Sequence, residues 1–173
     1  MGGVRRMMRP AVDRRIVVGV DRSFAGMQAL RRAVQLARRD GVQLDAVRAW
    51  VFAPTWRPGT LTWRWQDECD RAALVYLRGV FDAALGGMPR DVTVRLVVTQ
   101  GYAGQVLVDH AHRESDLLVV GSPDPGRFGR SRGHVTRYCV TRAAVPVVAV
   151  PAPSWARAAT IRRFARDLER FSR

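Results

Sequence analysis

The sequence predicts an α/β fold: an open sheet of five parallel strands in the order 3-2-1-4-5, with helices on both faces. Three observations carry that expectation. Short apolar runs such as "RRIVVGV", "DLLVV" and "VPVVAVP" recur along the chain, as strands covered on both faces require. Stretches of helical periodicity separate them, which points to parallel pairing through right-handed crossovers. The first and fourth runs end at turn-forming residues, Asp21 and Gly121. In this strand order those two ends flank the crevice where such sheets take ligands.

The first strand, 14–20, stops at Asp21. Ser23 then precedes a run in which Met27, Leu30, Val34 and Ala37 recur at helical spacing, so it reads as an N-cap and Gly41 as the C-cap. "VQLDAVRAWV" (42–51) alternates and gives the second strand. "FAPTWRPGTLTWRW" holds two prolines, a glycine and three tryptophans and reads as a loop or insertion. Ala73, Leu77, Val80, Phe81 and Ala84 restore the helical period until "GGMP" ends it. The third strand is "DVTVRLVVT" (91–99), followed by a short helix in "AGQVLVDHAHRE" and the fourth strand at 116–120. "VTRYCVTRA" is helical and 145–151 is the fifth strand. A basic tail (1–13) precedes this domain (14–151). Beyond it, in 152–173, Trp155, Ile161, Phe164, Leu168 and Phe171 predict an amphipathic helix with arginines opposite, packed on the domain or a partner.

At 173 residues the chain is one domain by length, with the composition of a soluble globular protein. No run approaches the roughly 20 apolar residues of a membrane span, and nothing apolar follows the basic N-terminus as a secretory signal would need. Cys69 and Cys139 have neither metal spacing nor a disulfide framework, which fits a reduced cytoplasm. The net charge is +14, yet lysine and asparagine are absent and isoleucine occurs twice, a codon signature of high-GC bacterial coding. Arginine richness alone therefore says little, and location says more. Residues 1–15, 121–142 and 155–173 hold five, five and six arginines against one, one and two carboxylates. Positive charge gathers in two tails and a glycine loop, which favours an anionic partner.

The combination resembles the universal stress protein family. "IVVGVDRSFAGMQALRRAVQLARRDGVQLDAVRAW" is similar to its opening strand–Asp-x-Ser–helix–strand segment, "GYAGQVLVDHAHRESDLLVVGS" to its third helix and fourth strand, and "HVTRYCVTRAAVPVVAVP" to its final helix and strand. The resemblance implies the adenine nucleotide alpha hydrolase-like sheet, a stress-response regulatory role, dimerisation through strand 145–151, and in one branch of the family binding of ATP, with Mg²⁺ when bound. It places Asp21 at the nucleoside, Ala49 near a strand-two backbone contact, and Gly121 at the first glycine of the loop pattern G-x2-G-x9-G-[S/T]. The rest of that pattern is not met. Asp124 stands at the second glycine, and anchoring from the helix puts Gly133 and His134 at the last two positions with one residue too few between.

The loop has exchanged glycine chemistry for arginine chemistry. Pro123 and Pro125 remove amide donors, and Asp124 repels phosphate by about 1 kcal/mol in water and about 4 at intermediate dielectric, unless it faces away or holds Mg²⁺. Arg127, Arg130, Arg132 and His134 offer charge-assisted contacts instead, around Ser122, Gly126 and Gly129. The expectation is an adenine-nucleotide binder, with a non-nucleotide interaction protein of the same fold as the alternative, and no cofactor in that case. The arginine clusters give a third reading, non-specific nucleic-acid binding. Arg57 and Arg64 among Trp56, Trp63 and Trp65 have the alternation that stacks bases or covers a nucleoside, more often an insertion packed at the domain edge. His110 and His112, two apart, face different sides of a helix and make no metal site. With no G-x-S-x-G elbow, no Walker lysine and no metal-spaced cluster, no catalytic residue is assigned beyond incidental ATP hydrolysis.

Overall fold

The computed structural model describes residues 14–51, 63–122 and 133–156, with side chains from Gln66 onward in the second helix. Five strands, β1 (Arg15–Gly19), β2 (Gln43–Trp50), β3 (Val94–Gln100), β4 (Leu117–Gly121) and β5 (Val147–Val150), form one parallel sheet in the order β3-β2-β1-β4-β5. The predicted order and number hold.

Four helices are described: α1 (Phe24–Asp40), α2 (Trp63–Leu85), α3 (Ala103–His110) and α4 (His134–Arg142). Alternation along β1 divides its side chains between two cores. Ile16, Val18 and Val20 pack with Ala29, Leu30 and Ala33 of α1 and with Leu77, Val80 and Phe81 of α2. Val17, by contrast, joins Val47, Leu118 and Val120 beneath Leu107 of α3 and Cys139 of α4. This is why the strand reads as continuously apolar.

The helix ends follow the sequence signals. Ser23 Oγ accepts the Gly26 N–H at 2.9 Å, and Gly41 closes α1 at φ 65°, a left-handed conformation where glycine avoids the Cβ penalty. One expectation fails. Trp63 and Trp65 belong to α2, not to a loop. In the sequence no glycine or proline lies between Gly59 and Ala73, and the helix extends back to Trp63. Trp56, the N-terminal tail and residues 157–173 of the expected C-terminal helix lie outside the described residues.

A charged cluster is buried beneath the start of the sheet. Arg15 is 5% exposed, Asp45 0% and Asp116 2%. The Arg15 guanidinium grips Asp116 through Nε and Nη2, both at 3.0 Å, donates to Asp45 Oδ2 at 2.9 Å, and reaches the His110 carbonyl at 2.6 Å. Asp45 also accepts from Gln43, Arg95 and the His110 ring. Burial by itself would raise the Asp45 carboxyl, but donors from His110, Arg95 and Gln43, with the Arg95 charge, hold it far below the usual carboxylate range. Such a cluster adds little net stability when intact and costs about 3–5 kcal/mol when one partner is removed.

After β5 the chain passes through Pro151 and Pro153 to Trp155, whose ring stands edge-on to Phe24 of α1 at 5.0 Å. The segment after the last strand therefore touches the first residue of the first helix.

Candidate functional site

The turn after β1 is held from within. Asp21 Oδ1 accepts the Ser23 backbone N–H at 2.8 Å and the Ser23 hydroxyl at 2.5 Å, while the same hydroxyl oxygen caps α1. The carboxylate thereby stands at the positive end of α1. Missing Cβ atoms bring three backbones together here. A Cβ on Gly26 would lie 2.0 Å from Asp21 Oδ1, and one on Gly121 would lie 2.8 Å from both Ala25 C and Gly26 N. On the other face, a Cβ on Gly19 would lie 2.8 Å from Leu107 Cδ1.

Between these close approaches lies a cleft of about 90 Å³ at the carboxyl ends of β1, β2 and β4. Val20, Val47, Leu107, Val120 and Val135 give it apolar walls; Asp21, Arg48, Ala49 and Gly121 join them. An apolar slot with one carboxylate is the general chemistry of a small-ligand site, hydrophobic area for a flat group and a polar group to orient it.

The predicted residues divide into five sets. Asp21, Ala49 and Gly121 line this one cleft. Ser23 caps α1 and orients Asp21. Gly133 is the N-cap of α4 in a left-handed conformation (φ 98°) without a side-chain cap, and His134 is the first residue of that helix, its ring 6.4 Å from that of Tyr138. The first amides of α4 have no intrahelical acceptor and suit an anion. Ser122 continues from β4 into the loop. Its N–H donates to Val150 O at 2.7 Å, so that amide extends the ladder with β5. Gly126, Arg127, Gly129, Arg130 and Arg132 lie outside the described residues.

Several residues in or beside the cleft escaped the sequence. Thr136 Oγ1 donates to Gly121 O at 2.6 Å and ties the first turn of α4 to the end of β4. Arg48, Leu107 and Val135 carry no local signature, although a glycine inside a strand, Gly19, does signal close approach of another element. A larger groove of about 380 Å³ runs past Thr99, Tyr102, Gln105, Asp109 and His110 but includes none of the predicted residues. His110, partly exposed at the end of α3, is bonded through Nε2 to the buried Asp45 at 2.9 Å. Among the described residues no group of three or more His, Cys, Asp or Glu gathers around a point, and no helix is long and apolar enough to cross a membrane.

The strand order, the crevice at its reversal and the glycine-closed carboxylate turn define an open, doubly wound α/β domain with a cleft at its topological switch point. The universal stress protein family model matches residues 14–151, and the chain belongs to that family. It is 31% identical over 138 residues to a universal stress protein of Mycolicibacterium smegmatis, a match covering 78% of this chain and 45% of that longer relative. Two solved structures share the fold. One is a universal stress protein in complex with cAMP, with a TM-score of 0.57 at 24% identity, covering 81% of this chain and 98% of that one. The other is a universal stress protein from Archaeoglobus fulgidus, with a TM-score of 0.56 at 20% identity, covering 79% and 98%.

Proposed function

We propose that this chain is a regulatory universal stress protein domain that binds an adenine nucleotide, ATP in the first instance, between the ends of β1 and β4. The observation that carries the reading is the convergence of Asp21, Ala49 and Gly121 on one apolar cleft. The base and ribose would occupy the cleft against Asp21, and the phosphates would lie toward the N-terminus of α4 and the arginine-bearing loop, bringing Mg²⁺ with them. Support comes also from the cAMP held by a protein of the same fold. The domain works by binding, not catalysis, in the cytoplasm, and pairs with a second copy along β5.

The test is mass spectrometry of nucleotide released from the purified protein, with an ATP titration followed by thermal shift. Asp21→Ala should weaken binding about tenfold to a hundredfold, as loss of a hydrogen bond to a charged group implies. A protein that carries no nucleotide and whose melting temperature is unmoved by millimolar ATP would end this reading.

A second reading has its own observation. The Ser122 amide is taken up by Val150 and the Thr136 hydroxyl by Gly121 O, so two groups near a phosphate are already committed. That favours an interaction protein acting through its β5 edge, and nucleotide-free protein that still self-associates would select it.

A further inference from the structure

We propose that Arg22, Arg48 and Tyr76 form a second phosphate subsite beside the cleft, so that the ligand carries phosphate at two positions. This rests on the nucleotide reading above and extends it.

Tyr76, on α2, is fixed by its phenolic oxygen, which accepts the Arg22 backbone N–H at 2.9 Å. Over its ring lie two guanidiniums, the Arg22 Cζ 4.8 Å and the Arg48 Cζ 4.3 Å from the ring centroid. The two cations are therefore within about 9 Å of each other, close to one Debye length at physiological salt, and they repel. Elsewhere in the sheet and α1, arginines that lie close to another charge are matched: Arg15 and Arg95 by Asp45, Arg38 by Asp91, Arg39 by Asp40. Among the described residues neither Arg22 nor Arg48 has a carboxylate in ion-pair range.

Their donors are also largely unspent among the described residues. The Arg48 guanidinium donates to Val20 O at 3.5 Å, the limit of a hydrogen bond, and the Arg22 guanidinium lies along α2 beside Gly79. Each guanidinium offers five N–H groups in a fixed fork that matches phosphate oxygens. Position decides which phosphate. Arg48 lines the cleft itself, and Arg22 adjoins Asp21, whereas the α4 N-terminus approaches from the β4 side. A nucleotide whose 5′-phosphate faces α4 would meet the arginine pair with a group attached elsewhere on its sugar. A nucleoside bisphosphate or a dinucleotide has that chemistry.

The experiment is calorimetric titration of the full chain with adenosine 5′-monophosphate and with adenosine 3′,5′-bisphosphate, in wild type, Arg22→Gln, Arg22→Lys and the double variant Arg22→Gln/Arg48→Gln. The bisphosphate should bind about tenfold or more tightly than the monophosphate in wild type, as charge-assisted hydrogen bonds imply. That ratio should fall toward one in Arg22→Gln and the double variant, and recover in part in Arg22→Lys. Equal affinities in wild type, or a ratio unchanged by the substitutions, would overturn the subsite; a purely packing role would lower the melting temperature and leave the ratio alone. Should neither nucleotide bind, the nucleotide reading falls by itself and pyrophosphate decides. Stabilisation of wild type by pyrophosphate that the double variant lacks supports the anion site, and identical shifts refute it.

Discussion

Replacing Gly121 by alanine isolates the backbone contact that joins β4 to α1. The new methyl would meet Ala25 C and Gly26 N at 2.8 Å and Ala25 O at 3.1 Å, all main-chain atoms without a rotamer to change. The first turn of α1 would have to retreat by roughly 0.7 Å to reach the ~3.5 Å of ordinary contact. That helix packs Ala29, Leu30 and Ala33 against β1 and β4, so the retreat loosens contacts along its first turns. Overpacking of this kind costs about 1–3 kcal/mol. For a chain of this size each kcal/mol lowers the melting temperature by about 2–4 °C, which puts Gly121→Ala roughly 2–12 °C below wild type. Circular dichroism melts and urea titrations measure it. The same displacement moves the Ser23 cap and with it Asp21, so nucleotide affinity should fall in step. A variant melting within 1 °C of wild type would mean that α1 is not clamped on Gly121, and the reasoning about the closed turn would fail.

Two further outcomes can be checked. Asp45 has a carboxyl depressed in the folded state, so its contribution is complete above its unfolded value near 3.9 and is lost as pH falls toward the folded value; urea titrations from pH 5 to pH 3 should show stability dropping by up to about 1.4 kcal/mol per pH unit from this group. Asp45→Asn should be less stable at pH 7 and show a shallower slope, and an unchanged slope would remove Asp45 from the explanation. Burial pushes the Cys139 thiol up to about 11, whereas Cys69 is partly exposed, so a thiol reagent at pH 8 should label one cysteine in the native protein and two in denaturant.

The sheet was legible because its signals are local. A buried parallel strand must be apolar on both faces, and a helix must cap, so "RIVVG", Ser23 and Gly41 announced themselves within a few residues. Asp21, Ala49 and Gly121 followed from strand order and resemblance together. What remained hidden depends on contacts between distant segments. Nothing in "QLDAVRAW" says that Asp45 collects Arg15, Arg95 and His110, because alternation reports facing and not partners. Gly121 read as a loop glycine, yet a Cβ placed on it would meet the backbone of α1. The tryptophans of "TWRW" were misplaced because proline and glycine nearby outweighed the helix-permissive residues after them.

The seam between β1 and β4 has a consequence for how the molecule is made. β1 meets β2 over five residue pairs, but meets β4 over three, and Arg15 is 101 positions from the Asp116 it grips. A chain emerging from the ribosome completes β1, α1 and β2 early and still exposes the flank of its central strand. The cleft has no second wall until β4 and the Val135 turn have followed. Loop closure over that span is slow relative to local pairing. The walled cleft is therefore a late product of synthesis, and truncated chains ending before residue 116 present an open strand edge and an Arg15 without its Asp116 partner to whatever quality control surveys them.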